Sequence, residues 1–350
     1  MNNIKIGITI GDVNGIGPEV IIKALLDNRI LTNITPIIYG SSKVMSYHKK
    51  VIDAQEFNPF KINTPEEAKK GKINIINCWE EDVKIDLGQS TEEGGAFAFK
   101  SLEAATKDLG SNKLDAIVTA PINKHNIKSK DFNFPGHTEY LTKLSNESES
   151  VMLMVSERLR VGVVSGHESL AEVVKSITKE KILKKLRIIN ASLIKDFRLR
   201  SPRIAVLGLN PHAGEKGLMG TEEIDIIAPA IETANHEGIL AFGPYPSDGF
   251  FGSENLGKFD AILAMYHDQG LTPFKALSFG TGVNYTAGLP IVRTSPDHGT
   301  GYDLAGKNQA NESSFRHALY LAHDIVINRH HHKEINQNPL QVKEILEKER

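Results

Sequence analysis

The chain has 350 residues, a formal net charge of −2, 40% hydrophobic residues and 24% charged residues. This is the composition of a globular protein with no general reason to bind nucleic acid, so an anionic ligand must be met by locally gathered cations. No apolar run approaches the ~20 residues of a membrane span, and at this length two lobes are the natural expectation.

The chain opens without a signal-peptide shape and goes directly into a strand pattern over residues 4–10. Gly11-Asp12-Val13-Asn14-Gly15-Ile16-Gly17-Pro18-Glu19 follows and starts a helix to about Leu26, with Pro18 suited to its first turn. Such a junction either receives an anion or ribose on its amides or is simply a tight turn. Gly11, Asp12, Gly15 and Gly17 are the candidates for cofactor contact, although their spacing is not the dinucleotide fingerprint. Strands at 36–40 and 73–77 and helices at 41–50 and 91–109 come next, with an irregular connection over 53–72. The single cysteine, Cys78 beside Trp79, allows no intrachain disulfide and suits a reducing cytoplasm; it reads as a plain buried thiol.

A strand at 115–120 leads to Phe134-Pro135-Gly136-His137-Thr138-Glu139, which opens a helix to about Leu144. Apolar runs at 151–155 and 159–164 suggest a hairpin, and 176–196 reads as an amphipathic helix. A strand at 203–209, a helix at 221–237 and a strand at 259–265 follow. A helix from about Leu271, a strand at 289–293, a polar loop at 295–301 and a helix at 312–328 complete the series. His330, His331 and His332 then read as a solvated surface run. The alternation of strands and helices predicts a parallel, layered α/β sheet.

Three apolar runs end in histidine. They deliver His167-Glu168, Asn210-Pro211-His212-Ala213-Gly214-Glu215, and His267-Asp268-Gln269-Gly270. Ligands sit at the carboxyl ends of strands in α/β proteins, and three imidazoles with acidic neighbours suit a catalytic metal site. Loop histidines capping turns are the other reading of the same spacing, which matches no compact zinc motif. Candidate anion contacts are scattered. Gly136-His137-Thr138 begins a helix, Lys275 lies two helical turns after His267, Arg293 closes a strand, and Asn284 can hydrogen-bond a polar group. Each alone also reads as a cap or salt-bridge member, and Asp248 in Pro246-Ser247-Asp248-Gly249 as a turn residue.

These segments, with Met219-Gly220-Thr221-Glu222-Glu223-Ile224-Asp225, Ala264-Met265-Tyr266-His267-Asp268-Gln269-Gly270 and Gly288-Leu289-Pro290-Ile291-Val292-Arg293-Thr294-Ser295, resemble the 4-hydroxythreonine-4-phosphate dehydrogenase family. The likeness runs in order from residue 4 to about 328. Val13-Asn14, where Pro-Ala is frequent, is a departure that touches no metal or substrate position.

The resemblance implies an isocitrate/isopropylmalate dehydrogenase-like α/β fold of two α/β/α lobes flanking an active-site cleft. Residues 1–130 plus 303–350 would form the first lobe, and 131–302 the second, carrying most metal and substrate residues. It implies a divalent metal (zinc, magnesium or cobalt) on His167, His212 and His267, in a site shared across a homodimer interface. Substrate contacts would come from His137, Thr138, Lys275, Asn284, Arg293 and, more loosely, Asp248, with Lys275 and Asp268 as acid/base candidates. The implied reaction is the NAD- or NADP-dependent oxidation of 4-phosphohydroxy-L-threonine in pyridoxal 5′-phosphate biosynthesis, in the cytoplasm. Threonate 4-phosphate as substrate is the competing expectation, and a non-redox metal-dependent reaction on a phosphorylated substrate the more distant one.

Overall fold

The computed structural model describes residues 4–338 except Asp131 and Ser148. Its first half contains β1 (Ile4–Thr9), α1 (Gly17–Leu25), β2 (Ile34–Gly40), α2 (Ser42–Val51), β3 (Phe60–Ile62) and β4 (Asn74–Asn77). α3 (Glu92–Gly110), β5 (Ala116–Thr119), α4 (His137–Leu144), β6 (Val151–Val155) and β7 (Arg160–Ser165) follow. The second half contains α5 (Leu170–Ser176), α6 (Lys179–Lys195), β8 (Arg203–Leu207), α7 (Ala228–His236), β9 (Leu240–Tyr245) and α8 (Ser247–Phe251). It ends with β10 (Ala261–Tyr266), α9 (His267–Ser278), β11 (Val283–Ala287), β12 (Arg293–Pro296) and α10 (Ser313–Ile335).

All twelve strands join one sheet in the order β3-β4-β2-β1-β5-β12-β11-β6-β7-β10-β8-β9. The interior strands are continuous apolar runs because helices cover both faces: Ile4, Ile6 and Ile8 of β1 and every residue of β10 but Tyr266 are buried. The sheet is parallel as expected except in the middle, where the hairpin expected over 151–164 is found and the antiparallel pairing extends beyond it. β6 is antiparallel to both β7 and β11, and β11 is antiparallel to β12. The reversal follows from short links. The turn between β6 and β7 closes with Ser156 N donating to Leu159 O at 2.8 Å, a connection too short for a parallel crossover.

β12 stitches the two halves of the sheet together, parallel to β5 on one side and antiparallel to β11 on the other. α10 covers this seam with buried Phe315, Leu319, Ala322 and Val326, which join the same apolar core as β1 and β6.

Several boundaries differ from the sequence reading. α9 starts at His267, four residues before the expected Leu271, so His267 and Lys275 share one helix. The strand expected at 289–293 is displaced to β12. α10 runs on through His330, His331 and His332, so the triplet is helical; residues 339–350 of the implied first lobe lie outside the described residues. The helix expected over 221–237 begins as a π-turn, Glu223–Ile227, before α7. Pro229 explains it: with no N–H to donate, it breaks the regular i→i−4 ladder at that point.

Candidate active site

A cavity of about 260 Å³ opens where the sheet reverses direction. It is lined from the carboxyl ends of β5, β7, β10 and β12 or the loops that follow them, and by Met152 and Met154 of β6 and Asn284 of β11, the two central strands at which the direction reverses. His137, Thr138, His167, His267, Lys275, Asn284 and Arg293 all line it, gathered from positions 137 to 293 of the chain.

One side of the cavity is built for an anion. Arg293 is buried, and its guanidinium donates only to hydroxyls: Nε and Nη2 to Thr119 Oγ1 at 3.0 and 2.8 Å, Nη1 to Thr286 Oγ1 at 3.2 Å. Among the described residues no carboxylate pairs with it, and burial pushes its pKa down to about 10, still cationic at neutral pH. His137 is the first residue of α4, and its Nε2 is buried without a partner. Burial, then the nearby charges of Arg293 and Lys124, hold its pKa well below the ordinary imidazole value. Asn284 Oδ1 is a second orphan. Buried polar atoms without partners beside a desolvated cation and a helix N-terminus are what a bound anionic ligand satisfies.

The other side presents imidazoles. The His167 and His267 rings have centroids 6.1 Å apart. Asp268 Oδ1 lies 2.7 Å from His267 Nδ1, which orients the ring and leaves Nε2 free. His167 Nδ1 lies 3.9 Å from Glu139 Oε1 and its Nε2 lies 3.3 Å from Lys124 Nζ. Burial, followed by the Lys124 charge, lowers the His167 pKa, so the ring is held in the neutral form that ligates metals. Glu168 turns away, accepting from Ser165 Oγ at 2.6 Å and from Ser176 Oγ, and so pins the loop that carries His167.

His212 does not join this pair within one chain. It is exposed on the segment Pro211–Gly217, where His212, Ala213, Gly214, Glu215 and Lys216 all have positive φ. Buried Glu223 holds the start of this left-handed turn, with Oε1 accepting from the Leu209 and Asn210 amides at 2.7 Å each. Among the described residues, no three His, Cys, Asp or Glu side chains of one chain are gathered closely enough to hold an ion. The donor set therefore fits a divalent ion through His167 and His267, with further ligands to come from solvent, substrate or a second chain. Asp248, exposed at the start of α8, also lies outside the cavity.

The N-terminal glycine turn is closed rather than open. Its residues are buried, and the amides of Asp12, Asn14, Gly15 and Ile16 donate to Pro121 O, Asp12 Oδ1, Asp12 O and Thr300 O. Asp12 Oδ2 accepts from Asn126 and Tyr302 at 2.7 and 2.8 Å. A Cβ on Gly11, at φ +67°, would stand 2.3 Å from Pro121 O; on Gly15 it would meet Thr300 O at 2.7 Å and on Gly17 Ile10 O at 2.5 Å. Close packing within the chain accounts for Gly11, Gly15 and Gly17, and the amides of Asp12, Asn14, Gly15 and Ile16 are taken up internally.

The chain matches the family described as pyridoxal phosphate biosynthetic protein PdxA over residues 32–322. It belongs to that family. A relative named 4-hydroxythreonine-4-phosphate dehydrogenase, from Bacteroides thetaiotaomicron, is 51% identical over 340 residues, 97% of this chain and 93% of its own. A relative from Oceanobacillus iheyensis, provisionally named D-threonate 4-phosphate dehydrogenase, is 39% identical over 321 residues, 91% of this chain and 96% of its own. The crystal structure of 4-hydroxythreonine-4-phosphate dehydrogenase from Klebsiella pneumoniae superposes with a TM-score of 0.79 at 34% identity, covering 93% of this chain and 98% of that one. This PdxA chain thus shares the fold of a solved dehydrogenase along nearly its whole length.

Sequence reasoning missed several residues that line the cavity of this PdxA chain: Lys124, Glu139, Asp297 and His298. His298 Nε2 is a third buried orphan. Lys124 follows β5 as His267 follows β10, so the same search of strand ends would have found it. Asp297 and His298 follow β12, whose displaced boundary hid the equivalent signal.

Proposed function

We propose that this chain oxidises 4-phosphohydroxy-L-threonine at C3, with NAD or NADP as acceptor and a divalent metal ion (zinc, magnesium or cobalt) at the site. The product, 2-amino-3-oxo-4-phosphooxybutanoate, is a β-keto acid that loses carbon dioxide to give 3-amino-2-oxopropyl phosphate for pyridoxal 5′-phosphate biosynthesis. The observation that carries this reading is buried Arg293, without a carboxylate partner, beside orphan His137 Nε2 in the cavity that also holds His167 and His267. A doubly anionic hydroxy acid satisfies the first pair while its hydroxyl reaches the second. The name of the Bacteroides thetaiotaomicron relative supports the same substrate.

When bound, the ion would acidify the C3 hydroxyl and the nicotinamide would take the hydride. The chain's own residues do the rest. Arg293, His137 and Thr138 hold the phosphate and carboxylate ends, and Asn284 accepts a hydrogen bond, which fixes C3 in place. Of the two acid/base candidates, Lys275 faces the cavity, whereas the carboxylate of Asp268 is engaged with His267 Nδ1. Lys275 is therefore assigned the proton, and Asp268 the orientation of His267. His212 is supplied by a second copy of the chain, in a cytoplasmic homodimer with the site at its interface; its exposure and separation from the His167–His267 pair support this assignment.

Threonate 4-phosphate is the second reading, favoured by the name of the Oceanobacillus iheyensis relative. The two are separated by following absorbance of the reduced nicotinamide with each substrate, with and without a chelator. Chelator-sensitive turnover of the amino acid in preference to the sugar acid supports the first; the reverse preference replaces it. Bound metal without reduction of either cofactor contradicts both.

A further inference from the structure

Lys124 stands on the loop after β5, at the rim of the cavity. Its Nζ lies 3.3 Å from His167 Nε2. An ammonium has only protons to offer, so Lys124 donates and the imidazole nitrogen accepts with its lone pair. The ring proton then sits on Nδ1, the nitrogen that faces Glu139 Oε1 at 3.9 Å. The lone pair engaged by Lys124 is the one a metal ion needs.

His267 completes the conflict. With Nδ1 tied to Asp268 at 2.7 Å, it presents Nε2 toward a ring whose centroid is 6.1 Å away. A divalent ion bound by both imidazoles competes with the ammonium for the same nitrogen and repels its charge. Once displaced, Lys124 has a short path to follow. Its Cε lies 3.7 Å, and Glu139 Oε2 3.4 Å, from the position a Cβ would take on Gly136. Gly136 caps α4, the helix that begins with His137, so the freed ammonium falls beside the anion-binding side of the cavity.

We propose that Lys124 is a metal-gated substrate-binding residue. Its ammonium donates to His167 Nε2, is displaced from that nitrogen when a divalent ion binds there, and then joins Arg293 and His137 on the substrate's anionic group. The proposal rests on the reading of His167 and His267 as metal ligands. It makes metal and substrate binding mutually reinforcing, since each shifts Lys124 toward the same position.

The test titrates Co²⁺ into the full chain, wild type and Lys124→Met, by calorimetry, first without and then with 4-phosphohydroxy-L-threonine. Without substrate, Lys124→Met binds Co²⁺ about five-fold more tightly, the scale of one exposed charged contact removed. The variant also loses most of the tightening that substrate brings to wild type, and its KM rises roughly ten-fold for want of one charge-assisted contact. A damaged fold would weaken metal binding, the opposite sign. Unchanged or weaker Co²⁺ affinity in Lys124→Met, or unchanged coupling to substrate, overturns the proposal. A wild-type protein that binds no Co²⁺, or binding unaffected by His267→Ala, would instead bring down the reading of the histidine pair and this proposal with it.

Discussion

Arg293 on β12 donates twice to a single hydroxyl on β5, with Nε and Nη2 at 3.0 and 2.8 Å from Thr119 Oγ1. A hydroxyl accepts hydrogen bonds but cancels no charge. The guanidinium therefore stays buried at the seam between the two halves of the sheet with only the more distant charge of Glu139 to offset its desolvation, an arrangement unfavourable to stability until an anion arrives.

Arg293→Met separates the two effects. It is expected to lower kcat/KM by about 100-fold or more, the consequence of losing a charge-assisted anion contact. The same substitution removes the desolvated charge, so the thermal midpoint holds or rises. Steady-state kinetics and thermal unfolding of the same preparation check both. A lowered midpoint would mean that the Thr119 and Thr286 contacts hold the seam together.

Asp268 acts through His267. Its carboxylate is 81% exposed, so Asp268→Asn should leave the fold intact while loosening the His267 ring. Metal affinity is expected to fall about 10- to 100-fold, as for other partners of ligating imidazoles. Competition with a chromogenic chelator measures it. Unchanged affinity would remove His267 from the metal site.

The left-handed turn carrying His212 stores strain at residues that have a Cβ. Lys216 is exposed at φ +56°. Lys216→Gly relieves its left-handed backbone while adding chain entropy to the unfolded state, for a net gain of about 0.5–1 kcal/mol. Denaturant unfolding should register a higher midpoint. A lower one would show that the turn is stabilised through the Lys216 side chain.

His48 gives the protein an acid sensitivity remote from the cavity. It is buried on α2 with Nε2 at 2.8 Å from Val13 O, and burial pushes its pKa from 6.5 down to about 4. Below pH 6.5 the unfolded chain takes up a proton that the native chain refuses until about pH 4. The unfolded state binds more protons in this window, so stability falls as pH drops through it, by on the order of 2 kcal/mol near pH 5. His48→Gln should flatten that part of the stability–pH curve. An unaltered slope would exclude His48 as its source.

Much of the site was legible because strand ends announce themselves. β10 is an interior strand of a sheet covered by helices on both faces, so its run is apolar throughout, and the change to His267-Asp268 marks where the strand ends. His167, just beyond the end of β7, was visible for the same reason, whereas Arg293 opens β12 rather than closing a strand as expected. β9 was hidden because it is an edge strand with Gly243 and Pro244 inside it and only Ala241 buried. β11 was hidden because it is five residues long and bounded by Gly282 and Gly288. The β6–β7 part of the reversal was legible as a hairpin across the charged turn at Glu157-Arg158, whereas the antiparallel pairing of β11 with β6 and β12 joins segments distant in sequence and could not be read. The glycine turn at Gly11 stayed open between two readings because glycines needed for an open ligand cradle and for close packing look alike in sequence. The separation of His212 from its expected partners depends on the left-handed turn, which no local pattern betrays.

The most direct test follows the hydrogen itself. The protein is incubated with 4-phosphohydroxy-L-threonine deuterated at C3, oxidised nicotinamide cofactor and a divalent metal, and the reduced cofactor is examined by mass spectrometry. Hydride transfer from C3 predicts reduced cofactor heavier by one deuterium, formed only while metal is present. Reduced cofactor without deuterium, or substrate consumed with no reduction, would contradict the account.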